Sequence, residues 1–268
     1  MTVPKGKSGK TIKKIKINKK NIVITFFDGS KIEVSEEAYT SSYLYVGKEL
    51  NKNEIDKLNQ ITAVKKLSQY ALSILSKNHY TERKMREKLS LKGGTKQDID
   101  YVINKLKELD LIDDKAFIED YLGYAEEKGI GKNKIKQELI KKGISIDEAN
   151  KIRFSSASEK KKALALIPSL ERKYSKYSYE QKKQHIYNAL LSKGFDHEIA
   201  SIAINSISKK NEKDESLKLK NDYKKALNKY FKEYEGRELK ERIIRSLASK
   251  GYRYNDINKL MGGMDDDF

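Results

Sequence analysis

A motif that recurs four times constrains the fold of this chain more than any other feature of its sequence. In each copy an apolar residue is followed four positions later by Leu, and three positions after that by the pair Lys-Gly. The copies are Met85, Leu89, Lys92 and Gly93; Ile135, Leu139, Lys142 and Gly143; Ile186, Leu190, Lys193 and Gly194; and Ile243, Leu247, Lys250 and Gly251. Their glycines lie 50, 51 and 57 residues apart, a spacing typical of tandem structural repeats.

Each part of the motif is typical of the last turn of an α-helix. Apolar residues four positions apart share one helix face, and Lys favours the negative end of the helix dipole. Gly adopts the left-handed conformation that closes a helix, and three of the glycines are followed by an apolar or aromatic residue, Ile144, Phe195 or Tyr252. The sequence therefore predicts that Gly93, Gly143, Gly194 and Gly251 are structural caps.

Apolar residues at helical spacing also precede and follow each copy, so each repeat is predicted to contain about three helices. Three short helices bury little surface alone and gain most of their burial from neighbouring repeats. The predicted fold is mainly α, with tandem three-helix repeats stacked into an elongated curved array and a small N-terminal β-meander.

The N-terminal region shows a period of two, which is typical of strands. Three short apolar alternations are present: Ile15 and Ile17; Ile22, Ile24 and Phe26; and Ile32 and Val34. Asp28-Gly29 predicts a hairpin turn, and Ser35 is predicted to cap a helix. A stop at Gly47 and a cap at Asn53 are predicted to introduce the next helix.

These patterns divide the chain into seven segments. They are an N-terminal strand region (1–50), repeat 1 (51–110), repeat 2 (111–155), repeat 3 (156–208), a polar linker (209–222), repeat 4 (223–262) and an acidic tail (263–268).

Composition narrows the class of function. The chain has 57 basic and 39 acidic residues, a net charge of +18, which favours a polyanionic partner. Cys is absent and the three histidines lie far apart, so we expect no metal, no cofactor and no catalytic site. No segment approaches the roughly 20 apolar residues of a membrane span, and the N-terminus lacks the apolar core of a signal peptide. We expect a cytoplasmic protein.

Three local motifs have two interpretations each. Asp113-Asp114 resembles a metal-binding carboxylate pair but is more typical of a helix N-cap with a first-turn charge, and we predict that Asp113 is a structural cap. Gly129-Ile130-Gly131 lacks the rest of a phosphate-binding loop and is interpreted as a turn. The tyrosines at 121, 124, 174 and 177 suit either base stacking or, more often, a helical core.

One equivalent position in the four repeats is occupied by lysine, arginine or histidine, which predicts a basic line along the array. Five residues before the repeat Leu stand Lys84, Lys134, His185 and Arg242, off the apolar stripe of the second helix. The residues predicted to face DNA or a filament are Lys84, Lys88, Lys132, Lys134, Lys136, Lys183, Lys240 and Arg242. An ordinary solvated helix face is the alternative.

Several residues resemble a known family, the RecX regulatory proteins. The similarity extends from about Tyr43 to Met261 and rests on Ala71-Leu72, on the segment 109–114 followed by Phe117, and on Gly129–Ile144. It implies a non-enzymatic monomer that binds the RecA recombinase filament on DNA, inhibits its ATPase and strand-exchange activities, and so modulates DNA repair and recombination.

Two questions about partners remain open from the sequence. The alternative function is a general protein for single- and double-stranded DNA that competes for DNA without contacting RecA. The C-terminal segment Gly262–Phe268 is similar to the C-terminal peptide of bacterial single-strand-binding proteins, although a simple acidic end is the more ordinary interpretation.

Overall fold

The computed structural model describes residues 9–19 and 21–262, and it confirms a mainly helical chain with a small N-terminal antiparallel sheet. The acidic tail 263–268 lies outside the described residues. The strands are β1 (Lys10–Ile17), β2 (Ile22–Phe26), β3 (Lys31–Val34) and β4 (Glu49–Leu50). The helices are α1 (Glu36–Ser41), α2 (Lys52–Leu75), α3 (Glu82–Leu91), α4 (Lys96–Glu108), α5 (Asp114–Glu127), α6 (Lys132–Lys142), α7 (Ile146–Lys151), α8 (Ser156–Lys173), α9 (Tyr179–Ser192), α10 (His197–Ile204), α11 (Glu212–Tyr230), α12 (Gly236–Ser249) and α13 (Tyr254–Gly262).

The sheet has the strand order β3-β2-β1-β4, with antiparallel neighbours throughout. The first three strands form the predicted meander, and the two-residue β4 adds an edge next to β1. Ile12 lies opposite Phe26, and Ile22 lies opposite Val34, so the apolar residues of each strand share one face. That face packs on α1 and α2.

Helix caps decide where the first two helices begin, and two predictions fail here. The Ser35 side chain accepts a hydrogen bond from the Ala38 amide, as predicted. The cap of α2 is Asn51 and not Asn53, because only Asn51 can exchange reciprocal bonds with Glu54 three residues later. The predicted stop at Gly47 is also wrong, because α1 already ends at Ser41 and Gly47 lies in the loop before β4.

Each repeat contains three helices, as predicted: α2 to α4, α5 to α7, α8 to α10, and α11 to α13. The predicted linker is wrong, because 212–222 form the first half of α11. The Asn211 side chain accepts from the amides of Lys213 and Asp214, and Leu219 is buried. The polar composition of this segment reflects one exposed side of a helix.

The chain divides into two compact units. The first comprises the described residues up to Glu119 together with Lys141–Ile144, and the second comprises Asp120–Ile140 and the described residues from Ser145 onward. In the first unit, one apolar cluster lies beneath the sheet and another lies among α2, α3 and α4. In the second unit, repeats 3 and 4 each have a cluster of their own. None of the described helices is both long and apolar enough to cross a membrane.

Candidate nucleic-acid interface

The second helix of each repeat ends in the predicted way. The φ angles of the four cap glycines, Gly93, Gly143, Gly194 and Gly251, are +84°, +115°, +92° and +78°. Ile144, Phe195 and Tyr252, which follow three of these glycines, are all buried. A left-handed residue and an apolar contact are the two features that close a helix in this way, and the last three helix ends have both of them.

Three of these helix ends contact the start of the second helix in the preceding repeat. In the first unit the Thr81 hydroxyl, at the start of α3, donates to the Lys142 carbonyl at 2.6 Å. In the second unit the Gly131 amide, at the start of α6, donates to the Lys193 carbonyl at 2.8 Å. The Ser178 hydroxyl donates to the Lys250 carbonyl in the same manner. Each contact satisfies a carbonyl that a helix end otherwise leaves unpaired.

A carboxylate completes each of these three junctions. The first amide of α3, that of Glu82, donates to Asp114 at 2.8 Å. The first amide of α6 donates to Glu159 at 2.9 Å, and the first amide of α9 donates to Glu215 at 3.0 Å. All three carboxylates belong to the first helix of the next repeat, and a negative charge there favours the positive end of the preceding helix.

The Asp113-Asp114 pair therefore has two separate structural roles. Asp113 caps its own helix by accepting from the Lys115 and Ala116 amides, as predicted. Asp114 caps α3 of the preceding repeat, a long-range role that sequence reasoning missed together with Glu159 and Glu215. The signal was present in the sequence as an acidic residue near the start of each first helix.

Gly129-Ile130-Gly131 is a turn between α5 and α6, and its second glycine has a further purpose. A Cβ atom at Gly131 would overlap the backbone of Gly194 and Phe195. A Cβ at Gly194 would likewise overlap Lys134 and the Gly131 carbonyl. Two glycines thus let two helix ends approach closely.

A buried ion pair supports this same junction. Glu159 is 3% exposed and lies 2.6 Å from the Lys162 ammonium, which also donates to the Ile130 carbonyl at 3.1 Å. Glu126 provides a second, exposed carboxylate 3.3 Å from Lys162. Removing either buried charge would leave the other without its main partner.

The predicted basic residues lie on the second helices, and the four equivalent ones lie at two different distances from the helix start. Lys84 and Lys134 are the third residues of α3 and α6, next to the junctions. His185 and Arg242 are the seventh residues of α9 and α12, because both of those helices begin earlier relative to the repeat Leu. The equivalent positions therefore share a helix face without sharing surroundings.

Several of these residues already hold carboxylate partners. Lys132 contacts Asp196 at 2.6 Å, and this hydrogen bond holds the pKa of the Asp196 carboxyl below its ordinary value. Lys84 contacts Glu87 at 2.7 Å, Lys183 lies 3.9 Å from Glu180, and Arg242 lies 3.4 Å from Glu238. The pairs on α3, α9 and α12 link neighbouring turns of one helix and are weak at an exposed surface.

The remaining predicted residues have looser surroundings. Lys88 lies 5.1 Å from the centre of the Tyr80 ring, and the Lys136 ammonium lies 3.5 Å from the Asn150 side chain. Lys134 is half-buried, and no carboxylate within residues 9–19 and 21–262 forms an ion pair with it. Lys240 is exposed on α12.

Tyrosines and cations stack between the first and second helices of repeats 3 and 4. The His185 ring lies 5.2 Å from the Tyr174 ring and 4.3 Å from the Tyr177 ring. Arg242 lies 4.5 Å from the centre of the Tyr234 ring. His185, one of the four residues of the predicted basic line, is thus part of an aromatic cluster.

The tyrosines of repeat 2 are the more open pair. The Tyr121 and Tyr124 rings lie 5.9 Å apart, and Tyr124 is 50% exposed. Lys128 lies 5.9 Å from the centre of the Tyr124 ring. Within the part of the chain that the structure describes, no group of His, Asp or Glu is arranged to hold a metal ion.

Comparison with known proteins gives a consistent result. No protein-family model matches the chain. The regulatory protein RecX of Lactococcus lactis strain IL1403 is 32% identical over 257 residues, 93% of this chain and 95% of that protein. The regulatory protein RecX of Streptococcus agalactiae serotype Ia is 30% identical over 261 residues, 92% and 97% of the two chains. A crystal structure of a regulatory protein RecX matches with a TM-score of 0.56 and 25% identity, over 74% of this chain and all of that one. The chain belongs to the RecX family of regulatory proteins.

Proposed function

We propose that this protein is a non-enzymatic, cytoplasmic regulator that binds RecA filaments on DNA as a monomer and inhibits ATP hydrolysis and strand exchange. The observation that supports it most is the repeated junction, in which the end of a second helix bonds to the start of the second helix of the preceding repeat at three places along the chain. A filament offers one subunit surface at regular intervals, and a repeat protein can contact several of them at once. Family membership supplies the identity of the recombinase.

Charge gives the proposal its second support. Arg242 and Lys240 lie exposed on α12, and the ion pairs on these helices link neighbouring turns and exchange readily with other anions. DNA phosphates in the filament are the expected counterpart, because phosphate contacts release condensed ions and favour binding at low salt. Lys132 would have to release Asp196 before it could take part.

A general DNA-binding protein remains the second candidate. The Tyr121–Tyr124 pair favours it, because an exposed tyrosine beside a lysine can stack on an unpaired base. Such a protein would bind single- and double-stranded DNA, compete with RecA for the lattice, and make no contact with the recombinase itself.

The two candidates separate in one experiment on preformed RecA filaments. DNA-dependent ATP hydrolysis and strand exchange are measured with substoichiometric protein across a salt series, beside binding of the protein to bare DNA. We expect inhibition to persist at salt concentrations where binding to bare DNA is no longer detected, because protein contacts outlast the ion-release contribution. Parallel loss of inhibition and of bare-DNA binding would favour the competitor.

A triple variant tests the basic positions. Replacement of Lys84, Lys134 and Arg242 by Gln should flatten the salt dependence of binding to bare DNA. The matched control replaces Lys213, Lys220 and Lys224, three exposed lysines on α11, by Gln. Equal effects of the two triple variants would assign the basic positions to ordinary solvation.

A further inference from the structure

The N-terminal sheet has two faces of opposite character. Ile12, Ile24 and Phe26 are almost fully buried on the inner face, where they pack with Leu58 of α2. Because successive side chains of a strand point to opposite faces, the intervening residues face outward. The sequence pattern predicted the strands but gave no role to these outward residues.

The outer face carries a group of exposed lysines. The strand register places Lys14 of β1 opposite Thr25 of β2, and Thr25 opposite Lys31 of β3. These three residues form one row across the sheet, with a lysine at each end. Lys16 follows two residues after Lys14 on the same face, and all three lysines are exposed. None of the three forms an ion pair with a carboxylate of the described residues.

Acidic residues on this face do not cancel that charge. Glu33 stands in the row of Lys16 and Val23, but it holds the Lys66 ammonium at 2.7 Å, which neutralises it. Glu49 lies opposite Thr11 on β4, at the other end of the sheet from Lys16. The rows through Lys14 and Lys16 therefore keep a net positive charge.

An exposed aromatic ring lies at the end of the same face. Phe27 directly follows β2 and the buried Phe26, and its amide donates to the Thr11 carbonyl at 3.1 Å. Its side chain is 67% exposed. Phe27 stands two residues beyond Thr25 of the lysine row, and the neighbouring Asp28 carboxylate is paired with the Lys10 ammonium at 2.9 Å. An unburied phenyl ring at this position is costly to leave in water and is suited to stacking.

We infer that the outer face of this sheet binds single-stranded nucleic acid, with Phe27 stacking on a base and Lys14, Lys16 and Lys31 contacting phosphates. This site is separate from the helical repeats, and the inference does not depend on any contact with RecA.

The dimensions of the sheet agree with this occupant. Lysines two residues apart on a strand are separated by about 7 Å, and lysines two strands apart by about 10 Å. This spacing lets each ammonium meet a different phosphate of an extended strand. A duplex keeps its bases stacked inside, so it could use the lysines but not Phe27. The ring is what selects the single strand.

Two variants of the full-length protein test the inference, with labelled oligothymidylate and a blunt duplex of equal length as probes. Phe27→Ala should weaken binding to oligothymidylate by about fivefold or more, the loss expected for one stacked base. It should leave duplex binding unchanged. Replacement of Lys14, Lys16 and Lys31 by Gln should lower the slope of log affinity against log salt by about 2 for oligothymidylate.

The matched control variants change an exposed phenylalanine and three exposed lysines that lie outside the sheet. Phe231→Ala removes an exposed phenyl ring at the end of α11, and the Gln variant of Lys213, Lys220 and Lys224 removes three exposed lysines. Both controls should bind oligothymidylate as the parent protein does, and thermal unfolding should show that every variant is folded. The inference is overturned if Phe27→Ala and Phe231→Ala bind alike, or if Phe27→Ala weakens duplex binding equally.

Discussion

The four Lys-Gly helix ends are alike in sequence and in backbone conformation, yet Gly93 differs from the other three in its surroundings. Apart from the two chain neighbours of Gly93, no residue that the structure describes has a heavy atom within 4 Å of the position where its Cβ would be. A Cβ at Gly143 would overlap the Thr81 hydroxyl, and one at Gly194 would overlap Lys134. The same Lys-Gly pair thus forms an open helix end in repeat 1, whereas in each later repeat it forms a joint, that is, a close contact with the start of a helix in the preceding repeat.

The opposite end of the series shows the complementary difference. The first residues of α3, α6 and α9 each receive a carboxylate from the next repeat. The start of α12 has no side-chain cap, and no described repeat follows it. The Lys-Gly motif therefore determines where the helix ends, whereas contacts with the neighbouring repeat determine how much that helix end contributes to the stability of the fold.

The largest effect is expected from alanine at a joined glycine. Gly194→Ala should lower the free energy of unfolding by about 4 kcal/mol, because a left-handed alanine costs about 1 kcal/mol and forced overlap up to about 3. Gly93→Ala should cost only about 1 kcal/mol, since its surroundings are open. Urea unfolding followed by circular dichroism measures both, and equal losses would show that the joint adds nothing.

The buried carboxylate at the start of α6 comes next. Glu159→Gln should cost about 3 kcal/mol, because Lys162 stays buried without its nearest counter-charge. Glu126→Gln removes the exposed partner of the same lysine and should cost about 1 kcal/mol or less. Hydrogen exchange of the α6 amides should locate the difference, and similar protection in the two variants would contradict it.

A hydroxyl at the third joint should matter less. Ser178→Ala removes the donor to the Lys250 carbonyl and the cap of α9 together, for a loss of about 1 to 2 kcal/mol. Ser249→Ala, near the end of α12, is the matched change, because the Ser249 hydroxyl bonds only within its own helix. Thermal unfolding of the two variants should rank them in that order.

The smallest effect depends on pH. Lys132 lowers the pKa of Asp196, so the pair stabilises the fold above the ordinary pKa near 3.8 and this contribution is lost as the pH falls through the lowered value. Asp196→Asn keeps a good helix cap and should cost about 1 kcal/mol or less at pH 7. The two proteins should converge in acid, and a difference that grows on acidification would contradict the assignment.

Local chemistry accounts for what the sequence could predict. A Lys-Gly helix end, the Asp28-Gly29 turn and the Ser35 cap each depend on residues within a few positions, so the sequence alone could indicate them. The cap of α2 was misplaced because Asn51 and Asn53 both suit the position, and only the bond with Glu54 decides between them.

Long-range contacts account for what it could not. Glu215 and Leu219 were assigned to a linker, because an acidic residue near the start of a polar helix does not by itself show which helix it will cap, here one that begins 36 residues earlier. His185 was assigned to a basic line, although Tyr174 and Tyr177 enclose it. The eight predicted interface residues remain a prediction. The helical period shows which face of a helix they lie on, but it does not show which molecule binds to that face.

The joint between repeats has one further consequence, which concerns how such a chain can change its length. Each internal repeat offers a glycine end to the repeat before it and a helix start to the repeat after it. We therefore expect the gain or loss of a whole repeat to disturb the joints less than that of a partial repeat, which would leave a joint unmatched. The length of such a chain is therefore expected to change in steps of about fifty residues. The first repeat of the series is expected to be the one whose Lys-Gly glycine tolerates replacement by alanine.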